Sequence, residues 1–350
     1  KLFMYAGRMA NDVALDPQQD LYGQILFHRG RFQRLRGYRL LKATECLAEI
    51  SPDGTDTWFS HYLPGDLVLG DPGARDAAIH AVQACIPHAT LLPVEVERLA
   101  FALIKPTGPL LVHARERSRS GNTFIYDLRV TGADGCVCED WEGLRLRAIN
   151  DTLLRNSWNE SLLAPYLERR VQELNSGVAV SVALVRDANA DRRTRSDRAI
   201  QMALGGEVAV LRRPDGKPLV EGSCEVSAAH ADDLTLAISG CSPLGCDIEQ
   251  VIVRPASAWM NLLGENRYAL AHLIAQNASE DEEISATRVW SAIECLKKAG
   301  ATADAPVTFA SSSADGWVLL SSGRFMIATY MARLRRNEGG FVVAILTGKA

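Results

Sequence analysis

The chain has 350 residues, 47% of them hydrophobic and 23% charged, with a formal net charge of −4, the balance of an ordinary globular protein. The length exceeds one typical core and suits two domains. The charge leaves no basic footprint for nucleic acid, and no apolar run approaches the roughly 18–20 residues of a membrane span. The opening KLFMYAGRMANDVALD has neither a basic head nor a small-residue cleavage site, so no secretory leader is expected. It starts without Met and in mid-pattern, as a fragment of something longer would. Eight cysteines are scattered through apolar surroundings. The closest pair, Cys136 and Cys138, has one residue between, which fits neither a zinc knuckle nor C-x-x-C. Reduced thiols used as small core residues are expected, and with them a cytoplasmic location.

To about residue 150 the chain is rich in β signals. Residues 39–50, 94–104, 110–117 and 123–130 alternate apolar and polar side chains, with Gly, Asp and Pro between them. Residues 74–86 carry the one long helix, apolar at Ala78, Ile79, Val82 and Ile86, and Ala133-Asp134-Gly135 reads as a hairpin turn. A sheet carrying one long helix follows. A break at 148–162 divides the chain into domains 1–150 and 151–350. Beyond it, helices are expected at 162–174, 196–204 and 286–299. Strands are expected at 176–185, 225–230, 234–239 and 244–249, so this half is α/β in composition.

Three features of the second half converge on an acidic site. Asp247 and Glu249, two apart in a strand, present both carboxylates on one face, with Cys246 and Ile248 on the other. In the helix that follows, Val289, Ile293 and Leu296 form the core stripe, while Glu294 and Lys298 stand one turn apart on a different face. Upstream, Arg213-Pro214-Asp215-Gly216-Lys217-Pro218 is a turn carrying basic side chains, ahead of His230. Carboxylates with nearby cations suit a diphosphate held through Mg²⁺, which takes hard oxygen ligands. Each piece alone also fits a plain role: a solvated edge, a surface ion pair, a structural histidine.

The order of these pieces resembles the phosphopantetheinyl transferase family. Its Gly-x-Asp-x-Glu strand is matched by Gly245, Asp247 and Glu249. Its Trp-Ser/Ala-x-Lys-Glu-Ala/Ser-x-x-Lys helix is matched by Trp290, Ser291, Glu294, Cys295 and Lys298. Its upstream elements are matched by Gly216-Lys217-Pro218 and His230. The resemblance implies that Asp247, Glu249 and Glu294 hold Mg²⁺ against the pyrophosphate of coenzyme A, and that Glu294 takes the proton of a carrier-protein serine. Lys298 would neutralise the diphosphate. Lys217, His230, Lys298 and Arg213 would bind the coenzyme, with Arg192, Arg193, Arg195 and Arg198 adding to nucleotide binding. Ile293 and Ala229 depart from the pattern, at positions where the family has a lysine and often a serine.

In the first half, Tyr22-Gly23, Phe32-Gln33 and the run from Gly70 to His80 resemble the second hot-dog repeat of polyketide synthase dehydratases, whose Asp-x-x-x-Gln/His pattern is met by Asp76 and His80. The resemblance implies that these two are catalytic. From the local sequence, Asp76 also fits as a plain acid of the helix start. The family's His-x-x-x-Gly-x-x-x-x-Pro motif is absent, and His28, His61 and His88 all lack that setting. A half-site without its activity is therefore expected.

Together the two resemblances imply the C-terminal region of an iterative, enediyne-type polyketide synthase. The implied fold is α+β, a hot-dog half followed by a two-lobed, pseudo-symmetric α/β transferase domain. The implied enzyme is a Mg²⁺-dependent holo-[acyl-carrier-protein] synthase, with coenzyme A and a synthase carrier domain as its partners. A non-catalytic carrier-docking module and a dehydratase fragment are the alternatives. A third is another Mg²⁺-diphosphate enzyme, though no Walker lysine loop is present.

Overall fold

Side-chain alternation builds the sheet of the first unit, residues 1–154. The computed structural model describes residues 13–51, 58, 70–102, 108–149, 157–335, 337 and 339–349. The strands of this unit are β1 (Leu35–Leu41), β2 (Glu45–Ile50), β3 (Leu91–Glu95), β4 (Arg98–Phe101), β5 (Leu110–Ser120), β6 (Thr123–Thr131) and β7 (Val137–Ala148). They pair antiparallel in the order β1-β2-β5-β6-β7-β3, with β4 also on β7. In β6 Phe124, Tyr126, Leu128 and Val130 are buried while the residues between them are half-buried, the period of two that a one-sided sheet requires. Residues 103 and 104 of the expected second strand lie outside the described residues.

Helix α1 (Pro72–His80) continues as a 3₁₀ turn over Ala81–Cys85, and its small residues Ala77, Ala78, Ala81 and Ala84 are buried. Two strands hold the junction. The Tyr38 hydroxyl donates to the Ala81 carbonyl at 2.8 Å, and the Cys46 thiol reaches the same oxygen at 3.8 Å. The regular helix is thus shorter than the expected 74–86. Buried Gln83 steers the chain out of it: its amide nitrogen donates to the carbonyls of Ile86 (2.8 Å) and Ala89 (2.5 Å), and its oxygen accepts the Leu91 amide (3.0 Å). That amide group delivers the chain into β3.

The second unit, residues 155–350, has two sheets. Its elements begin with α2 (Glu160–Leu174), β8 (Val180–Arg186), α3 (Arg192–Leu204), β9 (Leu211–Arg212), β10 (Pro218–Leu219), β11 (Glu225–Ala231), β12 (Leu234–Gly240) and β13 (Leu244–Gln250). There follow α4 (Ala256–Leu263), α5 (Glu265–Ala278), α6 (Glu282–Lys298), β14 (Thr308–Ser312), β15 (Trp317–Ser322), β16 (Phe325–Arg333) and β17 (Gly340–Gly348). One sheet runs β11-β12-β8 and the other β13-β17-β16-β15-β14, while β9 and β10 make a separate two-stranded ribbon.

This architecture corrects the expected pair of similar α/β lobes. Among the described residues every strand pair of this unit is antiparallel, and the two sheets differ in size and order. The reason is local. Tight turns join β11 to β12 and β15 to β16, and strands joined by so few residues must run antiparallel. The crossover through α3 delivers β11 two strands away from β8, with β12 between them, and a longer one through α4, α5 and α6 carries the chain from β13 to β14 at the opposite edge of the other sheet. Helix α3 also starts earlier than expected, because Asp191 Oδ1 caps it by accepting the amides of Arg193 and Thr194. No helix among the described residues is long and apolar enough to cross a membrane.

Candidate active site

Three parts of the first unit converge on the Asp76 carboxylate. The first is the helix that carries it. Asp71 precedes α1, with Oδ1 accepting the amides of Gly73 (2.8 Å) and Ala74 (3.4 Å), and Pro72 fills the first turn. This satisfies the orphan amides of a helix start. Capping therefore falls to Asp71, and Asp76 is free for another role. One turn on, His80 Nδ1 lies 3.3 Å from Asp76 Oδ2, as residues four apart on a helix can.

The second part is Tyr22. Its hydroxyl lies 3.0 Å from His80 Nε2 and accepts the Leu35 amide at 3.0 Å. One proton arrangement serves the whole chain of contacts. Tyr22 accepts from Leu35 and donates to Nε2, and His80 then carries its proton on Nδ1 and donates it to Asp76. Burial, reinforced by the charge of Asp76, pushes the Tyr22 phenol up to about 12, so it stays protonated.

The third part is the segment carrying His28. The chain doubles back at Gly23, where φ is +77° and the amide donates to the Leu26 carbonyl at 2.8 Å. Buried Ile25 and Leu26 anchor the turn. The chain then passes through His28 into a short 3₁₀ turn, Gly30–Phe32. The Gln33 side chain donates to the His28 carbonyl at 3.1 Å, and Phe27 stacks on the ring at 4.5 Å. These contacts place His28 Nε2 3.2 Å from Asp76 Oδ2, with the two imidazoles 4.1 Å apart. Burial, then the neighbouring His80, holds the His28 pKa below that of an ordinary imidazole, against the pull of Asp76. Its Nδ1 is buried with no hydrogen-bond partner.

His28, Asp76 and His80 line a cavity of about 520 Å³ whose other walls include Phe27, Phe32, Ile79, Leu91, Leu92 and Leu146. An apolar cleft with a few convergent polar groups is the usual form of a small-molecule site. Among the described residues these three are the one group of His, Cys, Asp and Glu side chains whose ligand atoms all lie within 4.8 Å of one another. The structure thus brings the expected Asp76 and His80 together and adds a histidine the sequence had set aside. No motif surrounds His28, because an irregular segment positions it. His61 lies outside the described residues.

In the second unit Asp247 and Glu249 lie on β13, and Glu294 and Lys298 on α6. Lys298 Nζ donates to Asp247 Oδ1 (2.9 Å) and to the Cys246 carbonyl (2.8 Å). Glu249 accepts the Trp290 indole N–H at 3.1 Å, and Glu294 accepts Lys297 at 2.6 Å. Burial raises the pKa of Asp247 against the pull of Lys298, and burial followed by Asp247 raises that of Glu249. The oxygens of the three acids do not form a ligand set within 4.8 Å, because each carboxylate is turned toward a different protein donor.

The other expected ligands are spread around this region. Lys217 Nζ donates to the Lys298 carbonyl at 3.1 Å. Arg213 is exposed beside Asp215. His230 Nδ1 sits 2.8 Å from the Thr235 hydroxyl, and burial followed by Arg195 and Arg192 pushes its pKa down to about 4. Arg195 is a structural residue: it is buried and donates to the carbonyls of Asp187, Ala190 and Asp232.

Comparison with known proteins matches residues 9–156 to the family described as polyketide synthase dehydratase N-terminal domain. No curated protein sequence matches the chain. Among solved structures it is similar to the dehydratase domain of a mycocerosic acid synthase-like polyketide synthase (22% identity, 34% of this chain, 42% of that one, TM-score 0.28). It is also similar to a trans-acyltransferase polyketide synthase enoyl-isomerase (16%, 35% and 50%, 0.28). A third likeness is to a hypothetical thioesterase with coenzyme A from Streptococcus pneumoniae (6%, 33% and 86%, 0.26). The chain spans 42% of the length of the first of these.

The family match corrects the expectation of a Mg²⁺-dependent 4′-phosphopantetheinyl transferase. The matched family is a dehydratase family, and the match spans residues 9–156, the unit carrying His28, Asp76 and His80. The enediyne-type arrangement built on that transferase falls with it.

Proposed function

We propose that the first unit dehydrates 3-hydroxyacyl thioesters to 2-enoyl thioesters, with His28 and Asp76 as its acid–base pair. The observation that carries this reading is the 3.2 Å contact between His28 Nε2 and Asp76 Oδ2 on the wall of an apolar cavity. The family match over residues 9–156 supports it.

Dehydration needs one group to take the proton from C2 and another to give a proton to the departing C3 hydroxyl. His28, kept neutral by burial, suits the first task, and Asp76 in its protonated form suits the second. The C2–H electron pair becomes the C2–C3 π bond, and the C3–O bond breaks as the oxygen leaves with the proton of Asp76 as water. The pair ends with as many protons as it began with. His80, held by Tyr22, aims the carboxyl. The apolar walls receive the acyl chain. On this reading the acyl chain arrives on the phosphopantetheine arm of a carrier domain of a polyketide synthase in the cytoplasm, and pantetheine or coenzyme A thioesters serve as its free equivalents.

The test is to incubate the chain with a 3-hydroxyacyl pantetheine thioester and follow loss of one water by mass and the absorbance of the conjugated product. Product is expected with the native chain and absent with His28→Ala and Asp76→Asn. A native chain that forms none, or variants that match it, would overturn the reading.

A further inference from the structure

Three side chains around one point do more than pass protons. His28 Nε2 and His80 Nδ1 lie 3.2 Å and 3.3 Å from the same oxygen, Asp76 Oδ2, and all three ligand atoms fall within 4.8 Å of one another. Zinc bonds of about 2.0–2.1 Å in tetrahedral geometry put neighbouring ligand atoms roughly 3.3–3.4 Å apart. Two of the three spacings already match a metal-bound set, and the two histidine nitrogens lie within 4.8 Å of each other. Two imidazoles and one carboxylate favour zinc, cobalt and nickel ions over magnesium or calcium, which prefer all-oxygen shells.

We propose that His28, Asp76 and His80 form a binding site for a divalent transition metal ion of the zinc class. The surroundings suit it. A ligating histidine needs its second nitrogen held by a hydrogen-bond partner, and Tyr22 already stands 3.0 Å from His80 Nε2. On binding, the His80 proton moves from Nδ1 to Nε2, where the Tyr22 oxygen accepts it, and Nδ1 presents its lone pair to the ion. His28 lacks such a partner at Nδ1, so its Nε2 binds the ion with Nδ1–H left unpaired and is the weaker of the two histidine ligands. The Asp76 side chain is 32% exposed, which gives the ion a way in. Three protein ligands leave one tetrahedral position open for water.

Metal binding at these three side chains is measured without substrate. Co²⁺, which absorbs visible light when four- or five-coordinate, is titrated into the full chain. One saturable equivalent is expected in the native protein and in Asp247→Asn, and none in His28→Gln or His80→Ala, each checked for folding by circular dichroism. Tyr22→Phe keeps the ligands but should bind about 10–100-fold more weakly. Zn²⁺ should displace Co²⁺. No saturable absorption, absorption that survives in both histidine variants, or thiolate charge-transfer bands placing the ion on cysteines would overturn the proposal. A chain that binds cobalt in this way but does not dehydrate would refute the activity and leave the metal site standing. The converse result would do the opposite.

Discussion

His28 Nε2 stands 3.2 Å from Asp76 Oδ2, and no regular element joins the two residues: one lies on an irregular segment, the other midway along α1. Everything proposed about chemistry follows from that contact. His80 sits behind it, 5% exposed and held by Tyr22.

His80 is a positioning residue. His80→Ala should lower kcat about 100-fold, as a displaced catalytic group does, with little change in KM because the apolar walls remain. Tyr22→Phe should give a smaller loss in the same direction. Steady-state kinetics of both variants check this, and a change confined to KM would contradict it.

The pKa of His28 lies below 6.5 because burial, then His80, disfavours its charge. As the base it must be neutral, so the acid limb of kcat/KM should lie below 6.5. The sign for stability agrees. A depressed folded value means the contribution is complete above the unfolded pKa and is lost as pH falls through the folded one. Titration of the His28 ring by NMR measures the value directly, and a midpoint at or above 6.5 would contradict it.

His230 gives the second unit a similar acid weakness. Burial and the arginines around it depress its pKa to about 4. Between about pH 6.5 and 4 the unfolded chain binds a proton there that the folded chain does not, so this unit should lose stability as pH falls through that window. His230→Gln should flatten the slope, as read by urea unfolding at several pH values.

Gln83 is the main buried polar group at the end of the α1 segment, with three hydrogen bonds to backbone. Gln83→Leu takes the side-chain partner from the Ala89 carbonyl and the Leu91 amide, while the Ile86 carbonyl keeps the Ala89 amide at 3.4 Å, at a cost of about 2–4 kcal/mol. Chemical denaturation monitored in the first unit should show it. An unchanged midpoint would mean that water replaces the amide.

Gly245 packs against α6 so closely that a Cβ would lie 2.6 Å from the Cys295 carbonyl oxygen. Gly245→Ala must push β13 from the helix and should cost about 1–3 kcal/mol. Thermal unfolding reads the loss.

Much of this is legible in the sequence. Period-two burial marked β5 and β6, and four-residue spacing put Asp76 beside His80, because both follow from local geometry. What lay beyond reach depends on contacts distant in sequence. His28 gave no signal because the turn at Gly23 and the grip of Gln33 on its carbonyl position it, not a periodic element. Gln83 looked like one more helical residue until its amide was seen steering the chain into β3. In the second unit the acids read as one cluster on a face. The structure pairs Asp247 with Lys298 and Glu249 with Trp290 across strand and helix, contacts that periodicity does not encode, and Glu294 with Lys297 three residues along the same helix.

The most direct test of the central claim is deuterium exchange at C2 of the substrate. In D₂O, a 3-hydroxyacyl or 2-enoyl pantetheine thioester is incubated with the chain, and NMR follows the C2 protons. The native protein should wash deuterium into C2, and His28→Ala should not. Exchange that persists unchanged in His28→Ala, or is absent from the native protein, would contradict the assignment of His28 as the base.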